Sequence, residues 1–400
     1  MDASTYSRCL LGNYAPPEIA IVRGQGSRVW DDAGNEYLDM GAGIAVSSLG
    51  HAHPKWVEAV STQAATLAHC TNLYAIPAQA ELAERLVAKA GPGKMMFCNS
   101  GAEANETLLK LARLHGRMKS GEEGKIFQVV CAEDGFHGRT FGGMSATGQE
   151  KVRKGFAPLV DGFSFARLND FEDFATRVNG ETAAVLLEPI QGESGIKVAN
   201  DEFLRSLRHL CDERGVLLML DEVQCGMGRT GDFFAFERSG IRPDAIAMAK
   251  GLGGGFPIGA VWIGEEHADL FEPGSHGSTV GGGPVACRAA LAVLDVIEEE
   301  NLLARATEHG AWFRARLDEV VEAHSEVMAG TRGRGLMIGL PMHVSAFAFA
   351  DGLRKRGLLT VPAGGEVVRF LPPLNVSRPE LEKAADIVAS LAAEWNLNED

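Results

Sequence analysis

Five short apolar runs recur through the middle of the chain: KMMFC (94–98), IFQVVCA (126–132), AAVLLEP (183–189), VLLMLDE (216–222) and AIAMA (245–249). Each is too short for a buried helix and shows no polar–apolar alternation, so each predicts a strand covered on both faces. The segments around them have helical periodicity, as in AQAELAERLVAKA (78–90). Strands and helices in alternation imply an α/β fold with a mostly parallel central sheet.

The two ends of the chain differ from this middle. IVRGQGSRVWDDAGNEYLDM (21–40) contains two strand-like runs around a turn at 31–35. After about 295, a helical stretch (304–324) leads into strand-like pieces at LMIGLPM (336–342) and VVRFLPP (367–373). The expectation is a large domain over 51–294 and a small split α+β domain built from 1–50 and 295–400.

With 400 residues, 46% of them apolar, the chain can bury a sizeable core. Its 38 basic and 53 acidic residues give a net charge of −15, which argues against nucleic acid or an anionic membrane as partner. Seven scattered cysteines without a CxxC pair fit a reducing compartment better than a disulfide framework or a zinc site. The opening MDASTYSRCL lacks the basic and apolar regions of a signal peptide, and the longest uncharged apolar stretch, 251–264, is too short and glycine-rich to span a bilayer. These features predict a soluble cytoplasmic protein.

In open α/β sheets ligands bind beyond the C-terminal ends of the strands, so the residues there carry the functional argument. The first run ends in CNSGAEANE, where Ser100, Gly101 and Ala102 form a turn into an amphipathic helix. Free N–H groups at a helix start suit a phosphate, although a serine there is also an ordinary N-cap. The second run leads into GFHGRT, which offers Phe136 to stack on a flat ligand and Arg139 to clamp a carboxylate, with His137 between them. The fourth ends in Asp221 and Glu222, and a carboxylate at the end of a buried strand needs a cation or a donor. A magnesium-binding Asp of an NTPase would also follow such a strand, but no Walker A loop accompanies it.

The last run delivers Lys250 into GLGGGF. Alone, this reads as a strand end with a solvated lysine. A lysine at the end of a buried strand, however, has a depressed pKa and can serve as a nucleophilic amine. Phosphate cradle, aromatic plate, buried acid and buried lysine together describe a site for pyridoxal 5′-phosphate (PLP).

At this point the chain resembles the class III, ornithine-type aminotransferases over nearly its whole length. The resemblance rests on GIAVSSLGHAHP, HCTNLY, FCNSGAEANE, FHGRT, EPIQGESG, LDEVQCGMGRTG, AMAKGLGGGFPIGA, HGSTVGGGP and VVRFLPPLN. It implies a fold-type I architecture and a homodimer whose active sites lie at the subunit interface. Position by position it implies Lys250 and Asp221 as catalytic residues, Lys250 bonding the cofactor and Asp221 pairing with its ring nitrogen. Ser100, Gly101 and Ala102 would hold the phosphate and Phe136 would stack on the ring. Glu222, Val223 and Gln224 would complete the cofactor site, with Thr279 and the substrate-binding Ser278 reaching across from the neighbouring subunit. Arg139 would bind the α-carboxylate of the amine donor. Arg369 would bind a carboxylate of 2-oxoglutarate or glutamate, with Glu193 pairing to it when the donor is present.

The implied reaction is a metal-free, two-step transfer of the δ-amine of N2-acetyl-L-ornithine to 2-oxoglutarate, a step of arginine biosynthesis. Succinylornithine, N-succinyl-diaminopimelate, ornithine and 4-aminobutyrate are alternative donors within the class, and an aminomutase of the same fold is a further alternative. Gly283 and Ser194 depart from the commonest family wording and leave local turn geometry and donor preference open. His51, His53 and His69 show no metal-ligand spacing and read as structural.

Overall fold

The computed structural model describes residues 3–396. Its central sheet has seven strands: β1 (Gly93–Cys98), β2 (Gln128–Ala132), β3 (Phe163–Ala166), β4 (Thr182–Leu187), β5 (Leu217–Asp221), β6 (Ala245–Met248) and β7 (Gly259–Gly264). Their spatial order is β1-β7-β6-β5-β4-β2-β3. All are parallel except β7, which runs against both β1 and β6. The five apolar runs supply β1, β2, β4, β5 and β6. The antiparallel β7 is hidden in sequence because GAVWIG continues a glycine-rich stretch.

Every residue of β4 and β5 is buried. Successive side chains point to opposite faces, so two separate cores cover the sheet. Leu217 and Met219 pack with Leu108, Leu111 and Ala112 of helix α1 (Gly101–Ser120). Leu218 and Leu220 pack on the other face with Phe203, Leu207 and Leu210 of helix α2 (Asp201–Arg214).

The ends of the chain meet each other. The strand Glu36–Asp39 pairs in parallel with Leu358–Leu359. Beside them an antiparallel sheet places Met337–Pro341 against Val367–Phe370, with Gly339 opposite Arg369. Helix α3 (Pro284–Glu299) joins two cores: Ala286, Ala290 and Leu294 pack with the central sheet, Val293, Val296 and Ile297 with Leu38, Phe313 and Phe370. That helix spans the expected boundary at 294. No helix among the described residues is long and apolar enough to cross a membrane.

Candidate active site

The C-terminal ends of β1, β5 and β6 open onto one cavity of about 420 Å³, lined by Ser100, Gly101, Phe136, Asp221 and Lys250 among others. Strand pairing places Asp221 opposite Ala247, so Lys250 stands just past the neighbouring strand end. Lys250 adopts a left-handed backbone with φ +45°, a strained conformation for a residue with a side chain. The surroundings hold it there. Ser48 Oγ donates to the Gly251 carbonyl at 2.9 Å, and Trp56 Nε1 donates to the Gly253 carbonyl at 3.0 Å. Burial pulls the Lys250 amine below the ordinary lysine range, aided by the Arg369 charge, while Glu193, Asp221 and Glu188 oppose the shift.

Asp221 is buried and held by donors on both oxygens. Its Oδ2 accepts from Asn105 Nδ2 at 2.7 Å and from His137 Nδ1 at 2.8 Å, and its Oδ1 accepts from the Val223 N–H at 3.0 Å. For His137, burial lowers the pKa, but the hydrogen bond and charge of Asp221 outweigh it, and the net shift is upward. Glu188 lines the same cavity and accepts from the backbone N–H groups of Phe136 at 2.7 Å and Gly192 at 3.1 Å. Burial, then the charge of Asp221, pushes Glu188 up to about 7.

Helix α1 begins at the cavity wall. Ser100 is its N-cap and accepts from the Glu103 N–H at 3.2 Å, so the ordinary capping role is real, and Gly101 and Ala102 after it line the cavity. A Cβ on Gly101 would meet Val223 Cγ1 at 2.7 Å. Phe136 lies on the opposite loop with the exposed Arg139 guanidinium 5.6 Å from its ring centre.

Arg369 is fully buried behind the cavity. Its Nη1 donates to Glu193 Oε1, to Gln224 Oε1 and to the Gly192 carbonyl, each at 2.8 Å. Gln224 closes the triangle by donating to Glu193 at 2.9 Å. Burial raises the Glu193 pKa, yet the charges of Arg369 and Lys250 and two hydrogen bonds bring it below the usual carboxylate range.

Three of the expected residues do not line this cavity: Glu222, expected there, and Ser278 and Thr279, expected to serve the neighbouring subunit's site. Glu222 does not reach the cavity. Its carboxylate turns into the protein and accepts from the Ala235 and Phe236 N–H groups and from Cys225 Sγ, so it organises the loop after β5 rather than a ligand. Ser278 is hydrogen-bonded by Asn99 Nδ2 at 3.1 Å on a surface loop, and Thr279 beside it is exposed.

A family model for class III aminotransferases matches residues 12–391. This chain belongs to the class III aminotransferases. The acetylornithine aminotransferase of Gloeobacter violaceus is 48% identical over 389 residues, covering 97% of this chain and 96% of that protein. The acetylornithine aminotransferase of Caldanaerobacter subterraneus is 45% identical over 386 residues, covering 96% and 97%. Among solved structures, the ornithine aminotransferase of Toxoplasma gondii, with PLP in partial occupancy at its active site, superposes with a TM-score of 0.94 at 31% identity, covering 98% of this chain and 93% of that one.

In this aminotransferase, sequence reasoning left several residues of the site without a role. Asn105 lies one helical turn beyond Gly101, on the same face of α1, and that i,i+4 spacing is the signal that points it at the cavity. His137 was visible only as an imidazole in a glycine-rich loop. Glu188 directly follows β4, as Asp221 closes β5, so the strand-end criterion applies to both. Ser48 and Trp56 carry no local signal, because their contacts with Gly251 and Gly253 cross about 200 residues of sequence.

Proposed function

We infer that this class III aminotransferase uses PLP to transfer the δ-amine of N2-acetyl-L-ornithine to 2-oxoglutarate, giving N-acetyl-L-glutamate 5-semialdehyde and L-glutamate in arginine biosynthesis. One juxtaposition carries the reading: Lys250, donor-held Asp221 and Glu193 line a single cavity, with Arg369 bonded to Glu193 behind it. Relatives named as acetylornithine aminotransferases, aligned over nearly the full chain, support the donor.

The residues present fit the cofactor. The cavity volume lies within the range of small-molecule sites. Gly101 leaves room at a helix start where free N–H groups favour a phosphate, and Asp221 has a lone pair on Oδ1 beyond its bond to Val223. When bound, PLP supplies an aldehyde for the substrate amine and a ring that accepts electrons from a breaking carbon–hydrogen bond.

This chain's own groups do the rest. Lys250 Nζ, its basicity lowered by burial, takes a proton from one carbon and returns it to another. Asp221, fixed by His137 and Asn105, holds a proton on the ring nitrogen. Phe136 keeps the ring flat against the site. Arg139 binds the α-carboxylate of acetylornithine while Glu193 masks Arg369. When 2-oxoglutarate follows, Glu193 withdraws and Arg369 binds one of its carboxylates, so the guanidinium is never left buried and unpaired.

The proposed assembly is a cytoplasmic homodimer with Ser278 and Thr279 serving the neighbouring site. Exposed apolar residues beside them support it: Asn72 bonds the Ser278 carbonyl, and Leu73 and Tyr74 follow it with 86% and 70% exposure. The deciding experiment compares amino transfer to 2-oxoglutarate from acetylornithine, succinylornithine, ornithine and 4-aminobutyrate. Acetylornithine is expected to have the highest kcat/KM; a clear preference for another donor overturns the assignment.

A further inference from the structure

Arg229 is a buried cation that the proposed chemistry does not use. It is 2% exposed and has no acidic partner among the described residues. Burial alone pulls its pKa down to about 9. A guanidinium taken out of water without a carboxylate is unfavourable unless its donors do something specific. Here Nη1 donates to two backbone carbonyls, Leu336 at 3.2 Å and Pro372 more closely, while Nη2 has no partner among the described residues.

Those two carbonyls flank the paired strands that carry Arg369. Leu336 immediately precedes the strand Met337–Pro341, and Pro372 lies three residues after Arg369 on the strand's continuation. In the ladder Gly339 faces Arg369. Arg229 in turn lies five residues after Gln224, which accepts from Arg369 at 2.8 Å. A closed circuit results: Arg369 to Gln224, along the chain to Arg229, across to Pro372, and back to Arg369. The seam is tight, because the Leu336 N–H also donates to the Arg229 carbonyl at 3.0 Å. A Cβ on Gly335 (φ +53°) would meet the Thr230 carbonyl carbon at 2.5 Å.

We propose that Arg229 is a positioning residue that sets the reach of Arg369 into the site, and hence recognition of the dicarboxylate substrate. The inference rests on the functional reading above, in which Glu193 must leave Arg369 when 2-oxoglutarate enters. At that moment the Arg369–Glu193 bond no longer places the guanidinium. The Arg229 clasp, outside the cavity, stays closed and keeps Arg369 in register with Gln224. Acetylornithine, bound through Arg139 on a different loop, does not depend on it.

The test uses holoenzyme of the wild type, Arg229→Gln and Arg229→Lys, with each half-reaction followed separately by stopped-flow absorbance. The apparent Kd for 2-oxoglutarate is expected to rise roughly tenfold in Arg229→Gln, since small misplacements of a clamp are expensive. A smaller rise is expected in Arg229→Lys, which keeps the charge but spans the two carbonyls less well. The acetylornithine half-reaction is expected to stay within about twofold in both. Gly335→Ala, which widens the same seam from the other side, is expected to show the same split and serves if Arg229→Gln does not fold. Equal losses in both half-reactions, or no change in either, overturn the proposal. A wild type that transaminates with another acceptor but not with 2-oxoglutarate overturns the functional reading beneath it instead.

Discussion

His137 donates through Nδ1 to Asp221 across 2.8 Å, and both side chains are buried. The bond fixes which way the carboxylate faces, and, against the opposing effect of burial, the hydrogen bond and charge of Asp221 raise the imidazole pKa. His137→Phe removes a donor from a buried carboxylate. The expected result is a kcat lower by about 10- to 100-fold, with His137→Asn retaining most of the activity because its amide can stand near Nδ1. Steady-state kinetics of the two variants check this, and equal losses in both would contradict the donor role.

Lys250 combines a strained backbone with a depressed amine pKa, and the lowered basicity suits proton transfer at Nζ. Lys250→Ala is expected to fold, since alanine keeps the Cβ and the same backbone while removing an amine that burial disfavours, and to lose at least about 10³-fold in turnover. Exogenous methylamine should restore part of the rate. A variant that still completes many turnovers unaided would remove Lys250 from the mechanism.

How much of this was legible in sequence depends on range. Strand β1, at the sheet edge with Lys94 exposed, is buried only at its C-terminal end, whereas β2, β4, β5 and β6 announce themselves as apolar runs because burial on both faces leaves little room for polar residues. The antiparallel β7 does not, since glycine and proline precede it and only its neighbours define it. Lys250 and Asp221 were legible because strand ends are special in such sheets. Glu222 shares that position with Asp221 yet faces the other way, a consequence of alternation along the strand that a list of strand-end residues misses. Arg229 and Ser48 were illegible for a different reason: their partners lie 107 to 203 residues away, and no local pattern encodes that proximity.

Glu193 bonds both Arg369 and Gln224, and although burial opposes the shift, the Arg369 and Lys250 charges lower its pKa. Glu193→Gln keeps a hydrogen-bonding group but leaves the Arg369 charge unmasked when acetylornithine is bound. The KM for acetylornithine is expected to rise about tenfold, while that for 2-oxoglutarate stays level or falls. Parallel increases in both would show that Glu193 is not a mask.

Gly101 sets helix stability against close approach. Alanine is the better helix former by up to about 1 kcal/mol, so Gly101→Ala should not lower the stability of α1 itself. Its Cβ would stand 2.7 Å from Val223 Cγ1, a stiff β-branched neighbour at the cavity wall. PLP affinity of the apoenzyme is therefore expected to fall about tenfold, because displacing Val223 costs about 1–3 kcal/mol. Spectroscopic titration with PLP measures it, and unchanged affinity would show that the wall yields freely.

Glu222 is buried, and burial raises its pKa to about 7 although two backbone N–H groups and the Cys225 thiol oppose the shift. An unfolded glutamate titrates near about 4.3, so the folded state binds this proton more tightly. The contribution to stability is then fully present below about 4.3 and is lost as pH rises through about 7, by up to about 3 kcal/mol. Glu188, also raised to about 7, acts with the same sign, so the wild-type curve alone does not isolate one residue. Glu222→Gln does, because glutamine does not titrate. It sets an NH₂ group against N–H donors and should be less stable than wild type at pH 5, where much of the wild-type contribution persists. The difference between the two proteins should shrink toward pH 7.5. Urea unfolding at both pH values provides the measurement, and a gap that stays constant or widens with pH would exclude a raised pKa at Glu222.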